Sequence, residues 1–156
     1  MDTINFLIEK RNTHQSASVF AAIHINGVSL IDMLQKHELV FAKKENAETI
    51  AGNYDWLSPQ KLYSHLAHPA DHNLDNDGKV EILDCSCGAA GCWPMKVKIK
   101  ENENNIIWCE FEQPFRSIES FNHWNYDDFG AFSFDKENYL TALEKLRIDE
   151  VETSDT

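Results

Sequence analysis

Pro94-Met95-Lys96-Val97-Lys98-Ile99-Lys100 and Ile106-Ile107-Trp108-Cys109-Glu110-Phe111 decide the fold. Val97 and Ile99 alternate with Lys96, Lys98 and Lys100, a period of two that turns one face of a strand to a core and leaves the lysines on the other. Glu101-Asn102-Glu103-Asn104-Asn105 supplies the turn of an antiparallel hairpin between the two runs. Val80 to Leu83 reads as the strand before it, and this meander is expected at the centre of the sheet.

Towards the N-terminus, Phe6-Leu7-Ile8 and Val19 to Ile25 read as strands, and Asn26-Gly27 as a tight turn with positive φ. Ser29 can cap a helix of two or three turns carrying Leu30, Ile31, Met33 and Leu34 on one side, with His37-Glu38 near its end. Residues 43–56 read as irregular. Ser58-Pro59 opens a second helix, because Ser caps and Pro fits the first helical position, and Pro69 closes it. Beyond the hairpin, Phe132-Ser133-Phe134 is a short strand, and Asp135 caps a third helix bearing Tyr139, Leu140, Leu143 and Leu146. The expectation is one α+β domain over residues 1–148, with a mainly antiparallel sheet of five or six strands and three helices. Residues 149–156 are expected as an acidic, disordered tail.

The chain has 156 residues, the usual size of one domain, with 42% apolar residues and nine Phe, four Tyr and four Trp, enough for a core without disulfides. Its 26 acidic and 14 basic residues give a net charge of −12, which repels phosphate backbones and anionic lipid and speaks against nucleic acid or a membrane as partner. Acidity keeps a protein soluble, and it can also meet a basic protein partner. The start has no basic region followed by a long apolar run, so a cytoplasmic location is expected. Four cysteines, three of them crowded at Cys85, Cys87 and Cys92, suggest thiols of a reducing compartment rather than a disulfide scaffold.

Three segments carry a resemblance. They are Leu83-Asp84-Cys85-Ser86-Cys87-Gly88-Ala89-Ala90-Gly91-Cys92-Trp93-Pro94, then Ile107 to Arg116, then Trp124-Asn125-Tyr126 through Phe134-Asp135 and Tyr139. Together they resemble a family of uncharacterised bacterial proteins with a C-x-C-G-x-x-G-C-W-P turn, a tryptophan-containing strand ending in Q-P-H-R and an F-D-x-x-x-Y helix start. The likeness covers residues 80 to 146 and bears on the fold; it implies no activity or cofactor. Phe115 stands where the family has His, and Cys109 where it commonly has Ser, which weakens a catalytic or metal role at both positions.

Cys85-x-Cys87-x4-Cys92 offers three soft ligands on one turn, with Cys109 on the hairpin as a candidate fourth for a tetrahedral zinc. The same letters also describe a glycine-rich turn, with Gly88 and Gly91 providing unusual φ and the cysteines packing as small apolar residues. A reactive thiolate is a third reading, but no cationic neighbour or C-x-x-C supports it. Asn73 to Asp84 follows a calcium loop at several positions, yet it has Asn at position one, Asp at position twelve and a strand as its exit, features of a solvated turn. His65, His68 and His72 are close in sequence, but Pro69 prevents one helix from presenting all three. Trp93, Arg116, His123, Trp124 and Tyr126 form a candidate binding surface, with His123 to Asp128 a pocket wall and Arg116 able to pair a carboxylate, from a ligand or from Asp127 or Asp128. No H-E-x-x-H, G-x-S-x-G, P-loop or G-x-G-x-x-G occurs, so the reading leans away from an enzyme and towards a protein-binding role of the inhibitor or immunity type.

Overall fold

In the computed structural model, residues 1–12, 17–73, 77–87 and 92–154 are described, with only the backbone for residues 12, 17 and 148–154. The meander is present: β5 (Lys79–Cys85), β6 (Met95–Glu101) and β7 (Asn105–Glu112) are consecutive antiparallel neighbours, flanked by β4 (Tyr54–Trp56) and β8 (Phe132–Asp135) in a five-stranded sheet of order β4-β5-β6-β7-β8. A second antiparallel sheet is formed by β1 (Ile4–Asn12), β2 (Ala17–Ile25) and β3 (Val28–Ser29). The fold is α+β, with eight strands and three α-helices among the described residues: α1 (Leu30–Lys44), α2 (Pro59–Ala67) and α3 (Lys136–Ser154).

Helix starts follow their caps. Ser29 Oγ accepts from Asp32 N, and Ser58 Oγ accepts from Lys61 N. Helix α1 runs to Lys44, well past the expected two or three turns, and buries Leu30, Leu34, Glu38 and Ala42 along one stripe. The strands not foreseen are the shortest, β3 and β4, which exist through pairing with β2 and β5 and carry no periodic signal of their own. Helix α3 continues on its backbone to Ser154, through most of the segment expected as a tail.

The two sheets share one core, in which Ile23, Ile25, Leu57, Ile82, Leu83, Met95, Trp108 and Phe134 are fully buried. Trp108 Nε1 donates to the Tyr139 hydroxyl at 3.2 Å, fixing α3 on the five-stranded sheet. Asp2 laces the sheets together: Oδ2 accepts from Ser133 N in β8 and Oδ1 from Asn26 Nδ2 in the β2–β3 turn, each at 2.9 Å.

The expected lysine face of β6 is closed at one end. Lys96 does not stand on an open face with Lys98 and Lys100; it is buried, its Nζ 2.8 Å from Asp77 Oδ2. The ladder shifts register between Lys96 and Lys98, where Val97 faces both Glu110 and Phe111, and Glu110 takes φ 51°. Lys96 is buried because Asp77 of the preceding loop covers this end of the lysine face and neutralises the ammonium.

Candidate functional site

Cys85 closes β5, opposite Tyr54 of β4, and its Sγ accepts from Cys87 N at 3.4 Å. The turn is pinned to the β4 side by Ser86 N on Asn53 O at 3.3 Å and by a short Ser86 Oγ to Asn53 Oδ1 bond. Cys92 lies where the chain re-enters the sheet, and the adjoining Pro94 carbonyl is held by buried Gln113 Nε2 at 2.8 Å. The three sulfurs consequently lie within 4.8 Å of one another, Cys85 buried and Cys87 and Cys92 exposed. Hydrogen bonds with Cys87 and Cys85 push the Cys92 thiol up to about 11, so Cys92 holds its proton near neutrality and a metal ion binding its sulfur releases it. Gly88 and Gly91, which the alternative reading needs for the turn, lie outside the described residues.

Cys109 does not join them. It sits opposite Lys98 in β7, whereas the cysteine turn leaves β5 beyond the Leu83–Met95 pair, so the intervening strand β6 and several residues of register separate them. Cys109 instead lines a cavity of about 480 Å³ with Glu112, His123, Trp124 and Tyr126; Asn125 and Asp127 of the expected His123–Asp128 wall line it too, and Asp128 does not.

Arg116 is paired, but with neither Asp127 nor Asp128. Its Nη2 and Nε reach Glu45 Oε1, just past the end of α1, at 3.0 and 3.2 Å, and its guanidinium lies 5.2 and 5.5 Å from the ring centres of Trp93 and Trp124. Glu45 also accepts from Trp124 Nε1 and, at 3.3 Å, from Asn122 Nδ2. Trp124 and Tyr126 are buried and Trp93 half-buried, so these candidate surface residues form a floor, while His123 is exposed with Nδ1 3.1 Å from the Arg116 carbonyl. Above the floor the loop Pro114–Trp124 exposes Phe121 completely, Ile118 by 81% and Phe115 by 49%. The Trp124 N to Arg116 O bond at 2.9 Å closes this loop, and Ser120 braces it through Ser117 O and Phe115 O. Apolar residues three apart at 115, 118 and 121 were the available sequence signal for this ridge.

No family model, curated protein or solved structure matches the chain.

The other sequence candidates are used internally. Asp77 holds Lys96 and the Lys79 N–H, Asp84 faces Lys61 Nζ at 3.5 Å, and Asn73 Oδ1 accepts from Gly78 N, so these calcium-loop positions are occupied by the protein itself; Asp75 lies outside the described residues. His65 and His72 have ring centres 4.3 Å apart with their planes tilted by 35°, one bonded to the Glu81 carbonyl and the other to Ser64 Oγ. Burial lowers the His65 pKa.

Sequence reasoning missed buried Glu38. Its Oε2 accepts from the Tyr54 and Tyr126 hydroxyls, each at 2.6 Å, and its Oε1 from Gly52 N at 2.9 Å. Burial raises its pKa, against the opposing pull of those three donors. Its place on the Leu30-Leu34-Glu38-Ala42 stripe was the available signal. Because Tyr54 pairs with Cys85 and Tyr126 underlies the ridge, Glu38 anchors both candidate surfaces. Gly52 has φ 66°, and a Cβ there would meet Gln35 Cβ and Cα at 2.5 and 2.8 Å. Gly52→Ala is therefore expected to cost about 2–4 kcal/mol, from left-handed strain and overpacking, as read by urea denaturation; a change below about 0.5 kcal/mol would show that α1 is not clamped here.

Proposed function

We propose that this protein is a non-enzymatic binding protein of the inhibitor or immunity type, which presents the Pro114–Trp124 loop to a basic protein partner in a reducing cytoplasm. The carrying observation is a hydrogen-bonded loop that leaves Phe115, Ile118 and Phe121 in solvent. Isolated exposed apolar residues need no explanation, but three on one braced loop favour a partner, because the ordering cost of binding has been met in advance. Exposed Glu119, Asp127 and Asp128 frame the ridge, and with a net charge of −12 they favour a cationic counterpart. Free thiols support the reducing setting, and no helix among the described residues is long and apolar enough to cross a membrane.

The test is charge reversal. Glu119→Lys, Asp127→Lys and Asp128→Lys together are expected to weaken a captured partner by at least about tenfold at low salt, with the difference shrinking at high salt as screening sets in. An affinity indifferent to both would remove the electrostatic part of the proposal.

A second reading is favoured by the sulfur geometry: Cys85, Cys87 and Cys92 hold zinc. Zn–S bonds of about 2.3 Å place tetrahedral sulfurs roughly 3.8 Å apart, a modest contraction of the present cluster. The two readings are compatible, since Trp93 follows Cys92 directly and stacks on Phe115 at the base of the ridge.

A further inference from the structure

We infer that the cysteine cluster is an open metal site: three thiolates from this chain and a fourth donor taken from solution, so that the ion it holds is exchangeable. This rests on the zinc reading above. Structural zinc is enclosed by four protein ligands, whereas a three-ligand site keeps one position for an exogenous group. Among the described residues, no His, Asp or Glu joins the group formed by Cys85, Cys87 and Cys92. The intervening Gly88-Ala89-Ala90-Gly91 has no side chain able to ligate, and Cys109, the remaining cysteine, faces a different cavity. Two of the three sulfurs are exposed, so an outside donor has access. Three soft ligands favour a soft fourth, and the matching class is a small thiol, bound as the thiolate in place of water. The exchange is a ligand substitution: a metal–oxygen bond breaks, a metal–sulfur bond forms, and the thiol proton passes to solvent without any change of oxidation state.

The probe is Co(II), added to full-length protein kept reduced with a phosphine and free of other thiols. Stoichiometric binding is expected, with sulfur-to-cobalt charge transfer and a d–d envelope that shifts when 2-mercaptoethanol is added. Cys109→Ser and His14→Ala, the latter at a histidine outside the described residues, should give the wild-type spectrum. Cys87→Ser and Cys92→Ser, both at exposed positions, should lose stoichiometric binding while keeping the wild-type far-UV circular dichroism. A d–d envelope indifferent to added thiol, or one altered by Cys109→Ser or His14→Ala, would mean a closed site, overturning the open position but leaving the zinc reading standing. Absence of Co(II) binding by reduced, folded wild-type protein would overturn both.

Discussion

Glu38→Ala is expected to destabilise the fold by about 3–5 kcal/mol, because it strands two buried hydroxyls and the part-buried Gly52 N–H and opens a cavity in the core. The carboxylate is fully buried and is the common acceptor of Gly52 N, the Tyr54 hydroxyl and the Tyr126 hydroxyl. Glu38→Gln keeps the shape and one accepting oxygen, and should lose less. The pair of variants also tests the charge. Burial raises the folded pKa above the ordinary 4.5 despite the three donors, so the folded state binds the proton more tightly than the unfolded state. That contribution to stability is complete below about 4.5 and is lost as pH rises through the raised value. Wild-type protein should therefore lose stability relative to Glu38→Gln across the weakly acidic range. Urea midpoints of both proteins from pH 4 to pH 8 read this difference, and carboxylates elsewhere cancel from it. A constant difference, or one that grows in favour of wild type as pH rises, would contradict the burial account.

The second large effect falls on the ridge. Ile118→Ser with Phe121→Ser is expected to weaken partner binding by about 100-fold or more, since exposed anchors of this kind carry about 1–2 kcal/mol or more each when they seat in a pocket. Stability should change little, within about 0.5 kcal/mol, because Phe121 is wholly exposed and Ile118 nearly so. Arg116→Ala offers an informative contrast. It removes the cation between Trp93 and Trp124 and leaves Glu45 with the indole and amide donors, so it should loosen the loop and lower both stability and affinity. Full partner affinity in the double serine variant, measured by calorimetry, would place the interface elsewhere.

Which features were legible in the sequence follows from how local their causes are. The β6–β7 hairpin could be read because alternation and a polar turn lie within one short stretch, and the helix starts because Ser29 and Ser58 cap amides three residues away. The three cysteines are brought together by a turn whose ends are also close in sequence. Glu38 could not be read in the same way, because its partners lie 14, 16 and 88 residues along the chain. Arg116 was recognised as a carboxylate partner, but its carboxylate is 71 residues away on Glu45, in a segment that showed no periodic signal. Cys109 looked eligible as a metal ligand because strand adjacency is readable and register is not: a bulge and several residues of ladder separate it from Cys85. The aromatic cluster was recognised as a surface, yet its large rings are mostly the support, and the residues left in solvent are Phe115, Ile118 and Phe121.

The most direct test of the binding role is a side-by-side capture from the protein's own cells, using tagged wild type and the Ile118→Ser, Phe121→Ser variant at low and high salt, with bound proteins quantified by mass spectrometry. The account predicts a basic protein that is stoichiometric on wild type at low salt, depleted at high salt and lost from the variant. A partner retained equally by both proteins, or no protein distinguishing them at either salt concentration, would contradict it.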